Sequence, residues 1–136
     1  MSEGVWTMGR VESGVAPFTG TSDNFLRSTS SAAAGTAGIS ISVKPGRFYT
    51  AAIQNGSATA YFFQVFDKAT APVNGDTPML SRRLPASGEL VVEVVNVNGL
   101  VALLGIGIAI SSTAGTLTLA IANDIVWRRI MYTASK

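Results

Sequence analysis

Glu89 and Glu93 are the pair of carboxylates whose spacing first suggests chemistry, because a glycosidase works with two acidic side chains. Both stand in a stretch rich in β-branched residues, where an extended strand is expected. On such a strand, residues four apart are separated by about 13 Å. That distance exceeds the carboxylate separations of both retaining and inverting mechanisms, so we predict no glycosidase site here.

A hard-metal site is the second chemical option for the acidic residues. Asp67, Asp76 and Asp124 are the candidates, but none of them lies in a D-x-D-x-D-G loop. Asn74 and Asp76, together with backbone carbonyls, leave a calcium site open.

Nucleophilic and transition-metal chemistry has little support because the chain contains neither His nor Cys. A nucleophile in the cluster Ser111-Ser112-Thr113 would have to borrow a lysine, so a polar hairpin turn is the favoured interpretation. Gly105 and Gly107 lack the third glycine of a dinucleotide site and predict close strand packing or a bulge. We therefore predict a protein that is not an enzyme and holds no cofactor. A hydrolase that uses carboxylates alone is kept as an alternative hypothesis.

The surface is expected to carry unusually little charge. Charged residues make up 13% of the 136 residues, where about 25% is usual for soluble domains. The ten basic residues are scattered, which argues against nucleic-acid and membrane binding, and the N-terminus shows no secretory signal. A free monomer with so few charges would tend to associate.

Short runs of apolar and β-branched residues, separated by Gly, Pro and Asn turns, predict the elements that must position any site. The predicted strands are 39–43, 47–54, 61–66, 79–84, 89–97, 105–111, 116–122 and 125–132. Asn55-Gly56 predicts a tight hairpin between the second and third of these strands. The connection 71–78 contains Pro72 and Pro78 and is expected to cross from one sheet to another.

These elements predict an all-β fold: an antiparallel, jelly-roll-like β-sandwich at 37–136, preceded by an extended N-terminal arm at 1–36. The arm is rich in Ser, Thr, Ala and Gly, and its phenylalanines are expected to anchor it on a neighbouring subunit.

Several strands are apolar on both faces, although the interior of a sandwich covers only one. The second face of 61–66 and 125–132 is expected to be covered by the arm or by another copy. The adjacent pairs Arg82-Arg83 and Arg128-Arg129 must split between faces in a regular strand, so that one of each pair needs a carboxylate. The predicted interface residues are Phe18, Phe25, Leu26, Phe62, Phe66, Arg82, Arg128 and Tyr132.

The runs YFFQVFDKATAPVNGDTPML (61–80) and NGLVALLGIGIAISSTAGTLTLA (98–120), followed by Trp127, resemble small structural proteins of tailed bacteriophages, of the capsid cement or decoration type. In such proteins a β-sandwich or jelly roll commonly sits on the outer capsid as a trimer and ties capsomers together. The resemblance covers about half of the chain and transfers no catalytic residue.

The resemblance implies a non-enzymatic virion subunit on the capsid surface, made in the host bacterial cytoplasm. Its expected partners are the major capsid protein or other virion proteins and further copies of itself, with a homotrimer favoured. An alternative is a tail, fibre or head-spike module that binds a surface glycan through its aromatic residues: Trp6, Tyr49, Tyr61, Trp127 and Tyr132.

Overall fold

A computed structural model describes residues 37–93, 99–121 and 124–135, together with the backbone of 21–26. These residues contain nine strands and no helix. Every pairing between the strands is antiparallel, which confirms the predicted all-β class. The strands are β1 (Thr21–Leu26), β2 (Ile39–Ser42), β3 (Gly46–Asn55), β4 (Tyr61–Asp67), β5 (Leu80–Leu84), β6 (Gly88–Glu93), β7 (Leu100–Ala102), β8 (Ile106–Ser111) and β9 (Ile125–Ser135).

The first sheet has the strand order β1-β9-β3-β6, and β7 also pairs with β3. β6 and β7 lie in succession along the same edge of β3, where Thr50 faces Glu93 and Phe48 faces Leu100. The predicted strand 89–97 is thus observed as β6 for residues 89–93, and its last four residues lie outside the described ranges.

The second sheet has the order β2-β8-β4-β5. Side chains from both sheets meet in one core. The centroid of the Phe63 ring, in the second sheet, lies 6.0 Å from that of Phe48 and 5.9 Å from that of Trp127, which both belong to the first sheet. All three rings are buried, and burying each such side chain is worth about 1.5–3 kcal/mol. The core therefore fixes the two sheets against each other.

The predicted hairpin at Asn55-Gly56 is wrong. β3 pairs with β9, β6 and β7, whereas β4 belongs to the other sheet. The buried Asn55 side chain instead shapes a crossing loop: its amide donates to the carbonyls of Thr59 (2.8 Å) and Pro85 (3.1 Å), and its oxygen accepts from the Ser57 amide (2.8 Å). A strong local turn signal is overridden here because both edges of β3 are already occupied.

The prediction that 71–78 crosses between sheets is also wrong, since this connection joins β4 to β5, which are neighbours in the second sheet. Pro72 is buried where a Cβ on Gly107 would lie 2.7 Å from its Cγ. A Cβ on Gly105 would lie 2.6 Å from the Ala69 Cα. These contacts confirm that both glycines permit close packing. The chain next changes sheet at the turn 85–87, which joins β5 to β6.

The described part of the predicted arm is the backbone of β1, which pairs with β9 as the outer strand of the first sheet. Thr21 lies opposite Ser135, and Leu26 lies opposite Ile130. The remainder of 1–36, and the side chains of Phe25 and Leu26, lie outside the described residues.

Candidate interaction surfaces

The outer face of β4 is covered by the chain's own residues 112–120, which we call the cover segment. Leu117, 1% exposed, packs on Phe66 and Ala109. The expectation that the arm or another copy covers this face of 61–66 is therefore wrong, and the Phe66 ring lies inside the chain. The prediction of a strand at 116–122 is wrong as well, since a single bridge, Ser111 to Leu119, forms in the described part of this segment.

Gln64 holds the cover segment against β4 through side-chain hydrogen bonds. Its side chain is fully buried, and its amide nitrogen lies 2.9 Å from the Thr113 carbonyl, 3.1 Å from the Ala114 carbonyl and 3.2 Å from the Ser81 hydroxyl. Its carbonyl oxygen has no partner. Turning the amide over would aim that oxygen at two carbonyls, so the observed orientation is the favourable one.

Ser111 has a structural role in the same turn. Its hydroxyl accepts from the amides of Thr113 (3.1 Å) and Thr118 (3.0 Å) and donates to the Thr116 carbonyl (3.2 Å). A hydroxyl held in this way organises the turn, as the favoured interpretation of the serine cluster expects.

The connection 71–78 holds the far side of the cover segment. The Leu117 amide donates to the Asp76 carbonyl (2.8 Å), and the Leu119 amide donates to the Asn74 side-chain oxygen (2.7 Å). The Asp76 carboxylate accepts from Lys68 (2.6 Å) and from the Val73 amide (2.9 Å). The Asn74 and Asp76 side chains considered for calcium thus accept hydrogen bonds from the chain itself. The described ranges contain no group of three or more His, Cys, Asp or Glu that would hold a metal.

Asp76 gives the loop a pH dependence. The hydrogen bond from Lys68 and the one from the Val73 amide hold the pKa of the Asp76 carboxyl below its ordinary value of 3.8. The unfolded chain then binds this proton at a higher pH than the folded chain does. The stabilisation is present above about pH 4 and is lost as the pH falls through the lowered pKa.

We expect Asp76→Asn to lower the free energy of unfolding by about 0.2–1 kcal/mol near neutral pH, because the ion pair is partly exposed to solvent. Urea unfolding of both proteins between about pH 6 and about pH 2 should show the difference shrinking as Asp76 becomes protonated. Asp124→Asn, at an exposed carboxylate, is the control. A difference that stays constant down to the acid end of this range would contradict the role of the charge.

Both arginine pairs face solvent, so neither pair needs the carboxylate that regular alternation predicts. In β9, Arg129 lies opposite Ala52 while Trp127 lies opposite Ile53, which leaves Arg128 as the extra residue of a bulge. Arg128 donates to the Gln54 side-chain oxygen. An ion pair does form in the described part of the chain, but it joins Lys68 to Asp76.

Arg82 lies on the edge strand β5, opposite the buried Phe63. Its register therefore places it on the core side of the sheet, and its side chain reaches solvent past the edge. A charge in this position discourages pairing with another strand at that edge.

The remaining predicted interface residues differ in accessibility. Phe62 is half-buried on the outer face of β4, and Tyr132 is half-buried against the core. Burial raises the pKa of the Tyr132 phenol above its ordinary value. Phe18 lies outside the described residues.

Aliphatic side chains at one end of the first sheet form a surface that the strand pattern did not predict. Val101 is exposed on β7, and Val43, Leu103 and Leu104 are exposed on the loops that follow β2 and β7. We call these four residues the end patch. The signal in the sequence is the run 100–104, which consists of apolar residues only. A strand with one buried face alternates apolar and polar residues, so an uninterrupted apolar run indicates that some of these side chains are exposed.

A second exposed aliphatic pair lies beside the cover segment. Val73 is exposed on the loop bonded to the cover segment, and Ile121, 76% exposed, follows that segment directly. At a third place, Val91 is exposed on β6.

No protein-family model, curated protein or solved structure matches this chain. Across the described ranges, no helix is both long and apolar enough to cross a membrane.

Proposed function

We propose that this chain is a non-enzymatic structural subunit of a phage virion: a jelly-roll-like β-sandwich of the capsid cement or decoration type, which stabilises the head by binding between capsid subunits. The observation that carries the proposal is the exposure of aliphatic side chains at separate places on a surface with few charges. The end patch, the pair Val73 and Ile121, and Val91 on β6 are all uncovered in the single chain. Apolar side chains exposed singly, such as Val91, are common on any protein, so the proposal depends on the end patch, since a contiguous apolar surface is typical of a binding site.

The chemistry of the described residues agrees with binding without turnover. The carboxylate of Asp76 and the hydroxyl of Ser111 are engaged in loop hydrogen bonds. Glu89 and Glu93 lie on the exposed edge strand β6, opposite Gln54 and Thr50. Asp76 and Ser111 thus stabilise loops, and the two glutamates lie apart on an exposed strand, which favours a binding role over catalysis.

The glycan-binding alternative receives less support. Stacking on a sugar needs an exposed aromatic face, but no aromatic side chain is exposed within 37–93, 99–121 and 124–135. Trp127 is buried in the core, and Tyr61 is half-buried and packs against the core. The large apolar side chains that are exposed in the described part of the chain are all aliphatic.

Particles purified from the phage or prophage that encodes the chain provide the direct test. Quantitative mass spectrometry should find its peptides in a fixed ratio to the major capsid protein, and particles without the chain should release their DNA at a lower temperature. Absence of the chain from the particles, or heads of unchanged stability without it, would contradict the proposal.

Self-association is tested separately by light scattering on the purified chain, which should form an oligomer, with a trimer favoured. Val73→Asp and Ile121→Asp place charge on the exposed pair and should weaken the oligomer, whereas Thr70→Asp, at an exposed polar position just before the connection 71–78, should not. A monomer at high concentration for the unchanged chain would overturn the homo-oligomer.

A further inference from the structure

The outer face of the first sheet carries opposite charges on two of its strands. Glu89, Val91 and Glu93 of β6 are exposed on this face, because the residues between them turn towards the core. Two strands away in the same sheet, Arg128 and Arg129 of β9 are exposed. The face is thus acidic along the edge strand β6 and basic along β9, with β3 between them.

The register of the strands places these charges at matching levels along β3. Ala52 lies opposite Val91 on one side and opposite Arg129 on the other. Its neighbours Ala51 and Ile53 are buried in the core, so the row that contains Ala52 points outwards. We call these three outward-facing residues, which are Val91, Ala52 and Arg129, the central row.

The glutamates lie in the rows on either side of the central row. Gln54 lies opposite Glu89, and its side-chain oxygen accepts a hydrogen bond from Arg128. Thr50 lies opposite Glu93. Rows on one face of a strand are about 7 Å apart. Each carboxylate is therefore one row away from the level of Arg129.

This arrangement is complementary to a second copy of itself. A two-fold axis that runs along β3, between two sheets packed face to face, keeps each residue at its own level and exchanges the two sides of the sheet. It brings β9 of each copy over β6 of the other. Arg129 of one copy then lies over Val91 of the other, one row from both Glu89 and Glu93 of that copy.

The strand at the axis does not oppose such a contact. In the three rows, β3 presents the uncharged side chains of Thr50, Ala52 and Gln54. Arg47, which is exposed near the start of β3, lies five residues and about 17 Å from Ala52. Packed sheets are rotated by about 30° relative to each other, so the two copies of Arg47 diverge and stay in solvent.

We propose that two copies of this chain associate through the outer faces of their first sheets, about a two-fold axis along β3. The contact pairs the two arginines of each copy with the two glutamates of the other, and the aliphatic stem of Arg129 covers the exposed Val91. In the described part of the chain none of these four charged side chains forms an ion pair, so their charges are available. A second copy is the occupant because one rotation satisfies both charged strands twice.

The contact rests on the self-association in the proposed function and adds a defined surface to it. That surface is separate from the exposed pair Val73 and Ile121, through which the trimer is tested. Variants of the charged residues leave this pair unchanged. A failure of the two-fold contact is therefore distinguishable from a failure of the trimer, and neither depends on finding the chain in a virion.

Charge reversal followed by mixing tests the contact. An Arg128→Glu, Arg129→Glu protein has an acidic face, and a Glu89→Arg, Glu93→Arg protein has a basic one. All four positions are exposed, so the fold should be retained, as circular dichroism can verify. Each variant alone should dimerise at least about tenfold more weakly than the unchanged chain in sedimentation velocity, because like charges then face each other. An equal mixture of the two should form a dimer again, since opposite charges meet on both sides.

Arg82→Glu, Arg83→Glu is the matched control, because it makes the same charge change at two exposed, adjacent arginines of the second sheet. It should dimerise like the unchanged chain. Raising the salt concentration from about 0.05 M to about 0.5 M should weaken the dimer of the unchanged chain, since salt screens exposed charges. Self-association that the face variants leave unchanged, equal weakening by the control, a mixture that stays monomeric, or a dimer that salt strengthens would each overturn the proposal.

Discussion

Replacing Phe63 with alanine should lower the free energy of unfolding by about 3–5 kcal/mol, as expected for the loss of a buried aromatic side chain. The Phe63 ring is fully buried between Phe48 of β3 and Trp127 of β9, so its removal leaves a cavity between the two sheets. A domain of this size is stable by only about 5–15 kcal/mol, and the variant should lose a large share of that. Urea unfolding followed by Trp127 fluorescence, with Trp6→Phe in both proteins, measures the change.

Phe62→Ala is the matched control for this experiment. It removes the same ring from the next position on β4, where the side chain is half-buried on the opposite face. Its cost should be clearly smaller than that of Phe63→Ala. Equal costs for the two variants would contradict the assignment of Phe63 to the shared core.

The sequence predicts strand positions well where alternation and turn residues agree. The runs 39–43, 47–54, 61–66, 79–84 and 105–111 are observed as β2, β3, β4, β5 and β8, with ends that differ by at most one residue. These positions follow from local rules, because the side chains of a strand point alternately to its two faces. β7 was not predicted separately, because it has only three residues and these belong to a longer apolar run that continues past Gly105.

Strand partners were predicted poorly because pairing is decided by the whole chain. Asn55-Gly56 is a strong hairpin signal, yet β3 bonds to β9 along most of its length and to β6 and β7 on its other edge. The bulge at Arg128 was equally hidden in the sequence. That single extra residue explains why both members of an arginine pair face solvent.

The candidate surfaces show the same division between local and long-range information. Phe66 is recognisable from the sequence as an apolar residue on the outer face of its strand, but not as a residue that its own chain covers. The alternation of Leu117, Leu119 and Ile121 is typical of a strand, and it proved to mark one buried residue, one half-buried residue and one exposed residue. Which of them packs inward depends on the bonds to Gln64 and to the connection 71–78.

Leu117→Ala should have the second large effect, a loss of about 2–5 kcal/mol in the free energy of unfolding, because it removes a fully buried leucine. Leu117 is the buried contact of the cover segment on Phe66 and Ala109. Without it, the outer face of β4 loses its cover and exposes apolar surface. The variant should therefore also bind more of a fluorescent apolar dye and scatter more light at the same concentration.

Ile121→Ala is the control, since it shortens an aliphatic side chain that is already exposed just after the same segment. It should leave the free energy of unfolding nearly unchanged, within about 0.5 kcal/mol. If both variants behaved alike, the cover would not depend on Leu117, and the apolar outer face of β4 would again need a neighbouring copy. A large effect of Leu117→Ala alone would mean that the chain protects this face by itself, so that association with partners has to use the aliphatic residues that remain exposed.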